Sequence, residues 1–197
     1  MDPNLLIALV SFAFVTSITP GPNNLMLMAS GANFGVRRTV PHMLGISLGH
    51  AVMVILVGLG LAGLFLTFPA AKLGLKAVSV AYMLWLAWNI AKAAAPGDGK
   101  AGAVPMTLIQ AAAFQWVNPK AWFMALGAIT NYAQGAGLRP VVMVALVFAC
   151  VNLPSVAVWA VAGRAMRHLL TNKNRRKLFN WTMAALLVLS LWPVLLD

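Results

Sequence analysis

A chain of 197 residues that is 61% hydrophobic and 9% charged, with a mean hydropathy of +0.86, does not compose a water-soluble domain. Its 14 Lys and Arg against 3 Asp and Glu give a formal net charge of +11. Most of these cations flank apolar runs, so they read as membrane orientation signals rather than a nucleic-acid footprint, and no nucleic-acid partner is expected. The single cysteine, Cys150, sits inside an apolar run, which excludes an intrachain disulfide and a two-thiol redox carrier.

Six runs are long and apolar enough to cross a bilayer, near 4–30, 40–66, 72–94, 105–132, 140–164 and 178–196. The expected fold is an all-α membrane protein of six transmembrane helices, a single domain over 1–197. The first run opens at Asn4 behind Met1-Asp2-Pro3, with no positive side chain ahead of it. It is too long for a signal peptide and reads as a retained helix. No Lys, Arg, Asp or Glu occurs from Pro3 to Val36, and mid-way stands Thr19-Pro20-Gly21-Pro22-Asn23-Asn24. Pro20 and Pro22 have no N–H, so the carbonyls of Thr16 and Ile18 lose their helical partners, and Gly21 adds slack. In hydrocarbon such a break survives only where protein or a wet cavity satisfies the freed groups.

The helix resumes through Leu25 to Met28 and stops at Gly31 to Gly35, with Arg37 and Arg38 marking the first loop. The second span starts at Pro41 and carries Gly45 and Gly49, a spacing that lets another backbone approach closely. In the third, Lys72 and Lys76 reach the interface along their stems, and Trp88 with Lys92 suits an interfacial belt. The Pro/Gly-rich stretch near Ala95–Gly102 supplies a linker, 96–104, between repeat 1 (1–95) and repeat 2 (105–197). In the fourth span Asn118-Pro119-Lys120 breaks the helix again, and Pro119 frees the carbonyl of Gln115. The fifth runs from Pro140 with a kink at Pro154, a basic loop covers Arg164–Lys177, and the sixth closes the chain.

An offset of 99 residues carries Pro20 onto Pro119 and Pro41 onto Pro140. Three helices per half is an odd number, so the halves have opposite orientations. This 3+3 inverted repeat, with its first and fourth helices broken, is an architecture for alternating access about a midplane site. Arg37, Arg38, Lys92, Lys100, Arg164, Arg167, Lys173, Arg175, Arg176 and Lys177 fall on one side, against Lys72, Lys76 and Arg139 on the other. The richer side faces the cytoplasm, which puts both termini outside.

Thr19-Pro20-Gly21-Pro22-Asn23-Asn24, the Gly45/Gly49 pair and Asn118-Pro119-Lys120 together resemble the LysE/RhtB family of amino-acid exporters, over the full length. Gly45-Ile46-Ser47-Leu48-Gly49, Tyr82-Met83-Leu84-Trp85-Leu86-Ala87-Trp88 and Phe114-Gln115-Trp116-Val117-Asn118 look like its branch that exports cysteine and O-acetylserine. The resemblance implies a secondary transporter, not an enzyme, that moves small neutral amino acids outward across a bacterial inner membrane. Where many relatives carry an acidic residue just after the second glycine, this chain has His50, which argues against proton coupling through a carboxylate there.

An amino acid brings a carboxylate and an ammonium. The half-helices resuming after Pro22 and Pro119 offer backbone N–H groups and positive dipole ends to the carboxylate. Asn23, Asn24 and Asn118 add amide donors and Lys120 a charge. The carbonyls of Thr16, Ile18 and Gln115 are the expected acceptors for the ammonium, with Trp116 or Trp122 as cation–π partners. The candidate substrate-binding set is therefore Thr16, Thr19, Pro20, Gly21, Pro22, Asn23, Asn24, Gln115, Asn118, Pro119 and Lys120. The plainer alternative is that the prolines only kink their helices.

Lys120 sits near a midplane, where a cation costs about 2.5–3.5 kcal/mol on insertion scales. Asp2, Asp98 and Asp197 all lie outside the runs, so Lys120 either partners a substrate anion or pairs with backbone carbonyls. His50 is a candidate proton relay, or a neutral buried histidine bonded to backbone; His42 and His168 read as interfacial. No cofactor, catalytic group or metal site is expected, and a homodimer stays open. A metal-ion or other small-solute exporter of the same fold is the alternative, although His and Cys are too scattered for a metal site. Gly45-x-Ser47-x-Gly49 matches a nucleophile pattern, but the strand-to-helix turn it needs is missing, leaving an intramembrane serine protease a distant alternative.

Overall fold

The computed structural model describes residues 1–61, 63, 67–92, 104–134 and 137–192. The expected linker (all but Val104) and the last residues of the second, third and sixth runs lie outside these.

The described residues form eight α-helices and no strand. Helix α1 (Pro3–Ile18) starts where the Asp2 carboxylate accepts from the N–H groups of Asn4, 2.7 Å, and Leu5, 3.3 Å, with Pro3 pre-set at its first position. After Thr19-Pro20-Gly21 the chain resumes as α2 (Pro22–Phe34), bent 56° from α1. A single residue, Gly35 at φ 80°, turns α2 into α3 (Val36–Leu56), whose last turn widens into a π-turn over Val57–Leu61. Arg37 and Arg38 therefore belong to the first turn of α3, not to a loop.

Helix α4 (Pro69–Ala91) follows, then α5 (Leu108–Phe114), which opens on a capping box between Thr107 and Gln110. A 3-10 turn, Gln115–Val117, and Asn118 separate α5 from α6 (Pro119–Tyr132). Helix α7 (Leu138–Met166) is unbroken, with Pro154 inside it, and a 3-10 turn, Arg167–Thr171, leads to α8 (Lys173–Leu189). The basic stretch from Lys173 to Lys177 is helical rather than loop. The Asn172 side chain makes it so by accepting from the N–H groups of Asn174 and Arg175.

Among the described residues three helices are long and apolar enough to cross a membrane, Val36–Leu61, Leu73–Ala91 and Leu138–Met166, and α1 with α2 makes a fourth if the bent pair is one span. Many of the apolar side chains point outward, Ile7 at 65% exposed and Phe123 at 66% among them, as suits a lipid-facing surface.

The core has two ends. Leu9 and Ala13 of α1 pack with Met53 and Val54 of α3, Ala121, Met124, Ala125 and Ala128 of α6, and Val144 and Phe148 of α7. Leu25 and Met26 of α2 pack instead with Met83 and Leu86 of α4, Phe114 of α5, and Phe179 and Met183 of α8. Between them, Leu27 of α2 meets Ile46 of α3, Ala111 of α5 and Ala160 of α7. Glycines set the closest approaches. A Cβ on Gly45 or Gly49 would strike the backbone of α5 at Leu108 or Ala112, and one on Gly31 or Gly163 the α7 or α2 backbone. Both helix breaks thus lie at the level where α3 and α7 pass from one end to the other.

Candidate functional site

Pro20 and Pro22 end α1 for the reason the sequence suggests: neither can donate to the ladder. Thr19 is extended at φ −64°, ψ 146°, and Gly21 is fully extended. The freed carbonyls do not stay open. The Thr19 hydroxyl donates to the Thr16 carbonyl at 3.2 Å, and the Trp159 indole N–H of α7 reaches the Ile18 carbonyl at 2.9 Å. The buried Asn24 amide donates to the carbonyls of Ser17 and Thr19, both at 2.8 Å. At the second break the Asn118 backbone N–H returns to the Gln115 carbonyl at 3.3 Å. The acceptors expected for an ammonium, on Thr16, Ile18 and Gln115, are therefore each engaged by a donor of the protein. A buried backbone acceptor is costly to leave bare, so the fold closes it.

Lys120 crosses from the second break to the first. Its ammonium donates to the Thr19 carbonyl at 2.7 Å, the Thr19 hydroxyl at 2.9 Å and the Pro20 carbonyl at 3.3 Å. Of the two arrangements open to this cation, the structure holds the one on backbone carbonyls. Its stem lies over Gly21, where a Cβ would stand 2.7 Å from Cδ.

A second bridge joins the breaks lower in the site. Asn23 Nδ2 donates to Gln115 Oε1 at 2.9 Å and Gln115 Nε2 to Asn23 Oδ1 at 3.2 Å, while Gln115 Nε2 also reaches the Ala111 carbonyl at 2.8 Å. The two resumed helices differ at their N-termini. Asn118 Oδ1 accepts from the Lys120 backbone N–H at 3.2 Å and so caps α6, whereas Gly21 gives α2 no side-chain cap. The first-turn N–H groups of Asn23 and Asn24 carry the positive end of α2 into the site. Both resumed helices start on a proline, α2 at Pro22 and α6 at Pro119.

Three further residues complete the walls. Asn152 of α7 is buried, donates to Ser17 Oγ at 3.0 Å and accepts from Ser47 Oγ at 2.9 Å, tying α1, α7 and α3 together. Asn152, Ser17 and Trp159 were not singled out in the sequence. Asn152 carried a usable signal, as the only Asn within the apolar run 140–164. Ser47 uses its hydroxyl on Asn152, which disposes of the nucleophile pattern around it. His50 is buried against Phe148, ring centroids 5.1 Å apart, and its Nε2 has no partner among the described residues. His42 is buried too, at 1% exposure, on the packed face of α3 near its start at Val36. The Trp122 indole N–H donates to the Trp116 carbonyl at 2.9 Å.

Thr16, Asn24, His50, Gln115, Asn118 and Lys120 line one cleft with a free volume of about 20 Å3, room for about one water molecule. Hydrogen-bond donors, acceptors and one cation converge there from both breaks and from α3 and α7.

The family model for LysE type translocators matches residues 14–190. The chain is 30% identical over 196 residues to the cysteine/O-acetylserine efflux protein of Klebsiella pneumoniae, covering 95% of each. It is 32% identical over 190 residues to the proteins of that name from Escherichia coli K12 and Shigella sonnei, covering 95% of this chain and 96% of theirs. No solved structure matches it significantly. A polar cleft stands where two helix breaks meet inside an apolar bundle, and the family model matches most of the length around it: the chain belongs to the LysE family of translocators.

Proposed function

We propose that the chain exports small neutral amino acids of the cysteine and O-acetylserine kind across a bacterial inner membrane. In this reading six spans form two inverted halves, 1–95 and 105–197 joined by 96–104, with α1/α2 and α5/α6 as the broken first and fourth. The packing supports it: α1 shares its end of the core with α6, and α2 shares the other with α5, as two antiparallel broken spans would.

The observation that carries the function is the meeting of the two breaks through Lys120 and through Asn23–Gln115. The substrate carboxylate is taken by Lys120, the open N-terminus of α2 at Asn23 and Asn24, and the Asn118 amide. Its ammonium goes to the carbonyls of Thr19 and Pro20, where a cation already sits, rather than to those of Thr16, Ile18 and Gln115, which neutral donors of the protein engage. Thr16 and Pro22 shape the cleft, Pro119 sets the start of α6, and His50 is the titratable group beside the site.

The test is efflux from preloaded proteoliposomes, screened over cysteine, O-acetylserine, lysine and a divalent metal ion. Cysteine and O-acetylserine should leave fastest. The second ammonium of lysine, about 6 Å from Lys120 at an effective dielectric near 20, costs roughly 3 kcal/mol, so lysine should lag by about a hundredfold. Efflux of the metal ion alone, or a preference for lysine, overturns the assignment.

A further inference from the structure

We infer that Lys120 is a built-in stand-in for the substrate's ammonium, and that by holding that position it restricts the site to molecules carrying both an ammonium and a carboxylate. The inference rests on the export reading above and adds a selection step to it.

The Lys120 ammonium occupies the acceptors that an amino acid's ammonium would need. It donates to the carbonyls of Thr19 and Pro20 and to the Thr19 hydroxyl at 2.7–3.3 Å, and the cleft beside it has room for about one water molecule. A substrate therefore enters only by exchange. Its ammonium takes the place of Nζ on the carbonyls, and the displaced Lys120, still a cation, closes on the carboxylate. Charge balances at every stage, because the zwitterion brings one group of each sign.

Half-substrates fail for opposite reasons. An amine without a carboxylate displaces Lys120 with no anion to meet it, since the three carboxylate residues of the chain, Asp2, Asp98 and Asp197, lie outside the six apolar runs. An acid without an ammonium draws Lys120 away, which takes the donor from the Pro20 carbonyl and leaves the Thr19 carbonyl with the Asn24 amide alone. Either loss adds to the poor contact itself, because a cation or a carbonyl is left without the partner it holds in this structure.

Gly21 gains a role from this. Its backbone is extended, at φ 179° and ψ 179°, a conformation open to any residue, so glycine is not needed for the turn. It is needed for room: a Cβ would stand 2.7 Å from Lys120 Cδ and 3.2 Å from Nζ. An alanine there pushes Lys120 off the carbonyls while leaving its charge in the cleft.

The experiment compares cysteine with its two halves, cysteamine and 3-mercaptopropionate, kept reduced and preloaded into proteoliposomes holding the full chain, with protein-free liposomes subtracted. Wild type should export cysteine at least about tenfold faster than either half. Lys120→Met should collapse the cysteine-to-cysteamine ratio to about two, through a gain in cysteamine as well as a loss in cysteine. Lys120→Arg keeps the cation and should keep most of the ratio. Gly21→Ala should lower the half-saturating cysteine concentration by roughly threefold, since the competing internal cation is displaced.

Thermal unfolding in detergent reads the same exchange without transport: cysteine should raise the wild-type midpoint and neither half should. If Lys120→Met does not fold, Gly21→Ala decides, and an unchanged or raised half-saturation refutes the stand-in. A folded Lys120→Met that still refuses cysteamine refutes it as well, while leaving the export reading standing. A wild type that exports no cysteine removes the export reading, and the stand-in role with it.

Discussion

Asn152 joins three helices through one amide. Its Nδ2 donates to Ser17 of α1 and its Oδ1 accepts from Ser47 of α3, all of them buried. Asn152→Ala strands two hydroxyls beside the cleft, and we expect a loss of about 1–2 kcal/mol, read as a lower unfolding midpoint in detergent. Ser17→Ala in the Asn152→Ala background should then cost little more, because the partner is already gone; full additivity of the two would show that Ser17 and Asn152 do not act as a pair. The same scale shows how far the sequence can be read. Lys120, Asn23, Asn24, Gln115 and Asn118 are legible because each is a polar side chain in an apolar run beside a proline. The pairing of Asn23 with Gln115, or of Trp159 with the Ile18 carbonyl across 141 residues, is not, because it depends on which helix faces pack. Nor does the chain announce which freed carbonyls the protein engages itself, as it does those of Thr16, Ile18 and Gln115.

At the scale of elements, the two breaks are built alike but finished differently. Both resumed helices begin with proline at the first position, Pro22 and Pro119, yet α6 is capped by Asn118 and α2 by a glycine with no side chain. The open end is thus on α2, and the bend of 56° aims it into the cleft. Pro20→Ala with Pro22→Ala lets the ladder close, straightens α1 into α2, and removes both the open N-terminus and the carbonyls that Lys120 holds. The variant should insert, since apolar length is unchanged, while transport falls by at least about tenfold. A well-expressed double variant that exports normally would reduce the break to a kink and move the site elsewhere. The breaks are plain in the sequence because proline acts through covalent structure. Boundaries set by single caps are less so. Gly35 alone makes the corner into α3, and Asn172 draws Lys173 to Lys177 into α8, where charge composition alone suggests loops.

At the scale of the molecule, the first turn of α3 carries Arg37 and Arg38, the last turn of α7 carries Arg164, and Arg167 in the turn after it is followed by Lys173, Arg175, Arg176 and Lys177 of α8. These lie at one end of the bundle, since Leu170 of that turn packs in the same cluster as Met26 and Ala32 of α2. Arg139, by contrast, opens α7, whose first turns pack with α1 and α6 at the other end. One end is therefore strongly cationic and the other is not, and translocation of that end across an energised membrane is opposed. The cationic end should stay in the cytoplasm, leaving the N-terminus of α1 on the opposite side. With an even number of spans the C-terminus joins it there. A fluorescent protein that folds only in the cytoplasm should stay dark when fused after Asp197, while an alkaline phosphatase active only outside should be active at the same position. Paired fusions separate orientation from expression, because a poorly made protein silences both. A bright fluorescent fusion with a silent phosphatase would put the C-terminus inside. Either the charge rule is then overridden or the chain crosses an odd number of times, and phosphatase fused after Met1 distinguishes the two: activity there means an odd count, silence an inverted bundle.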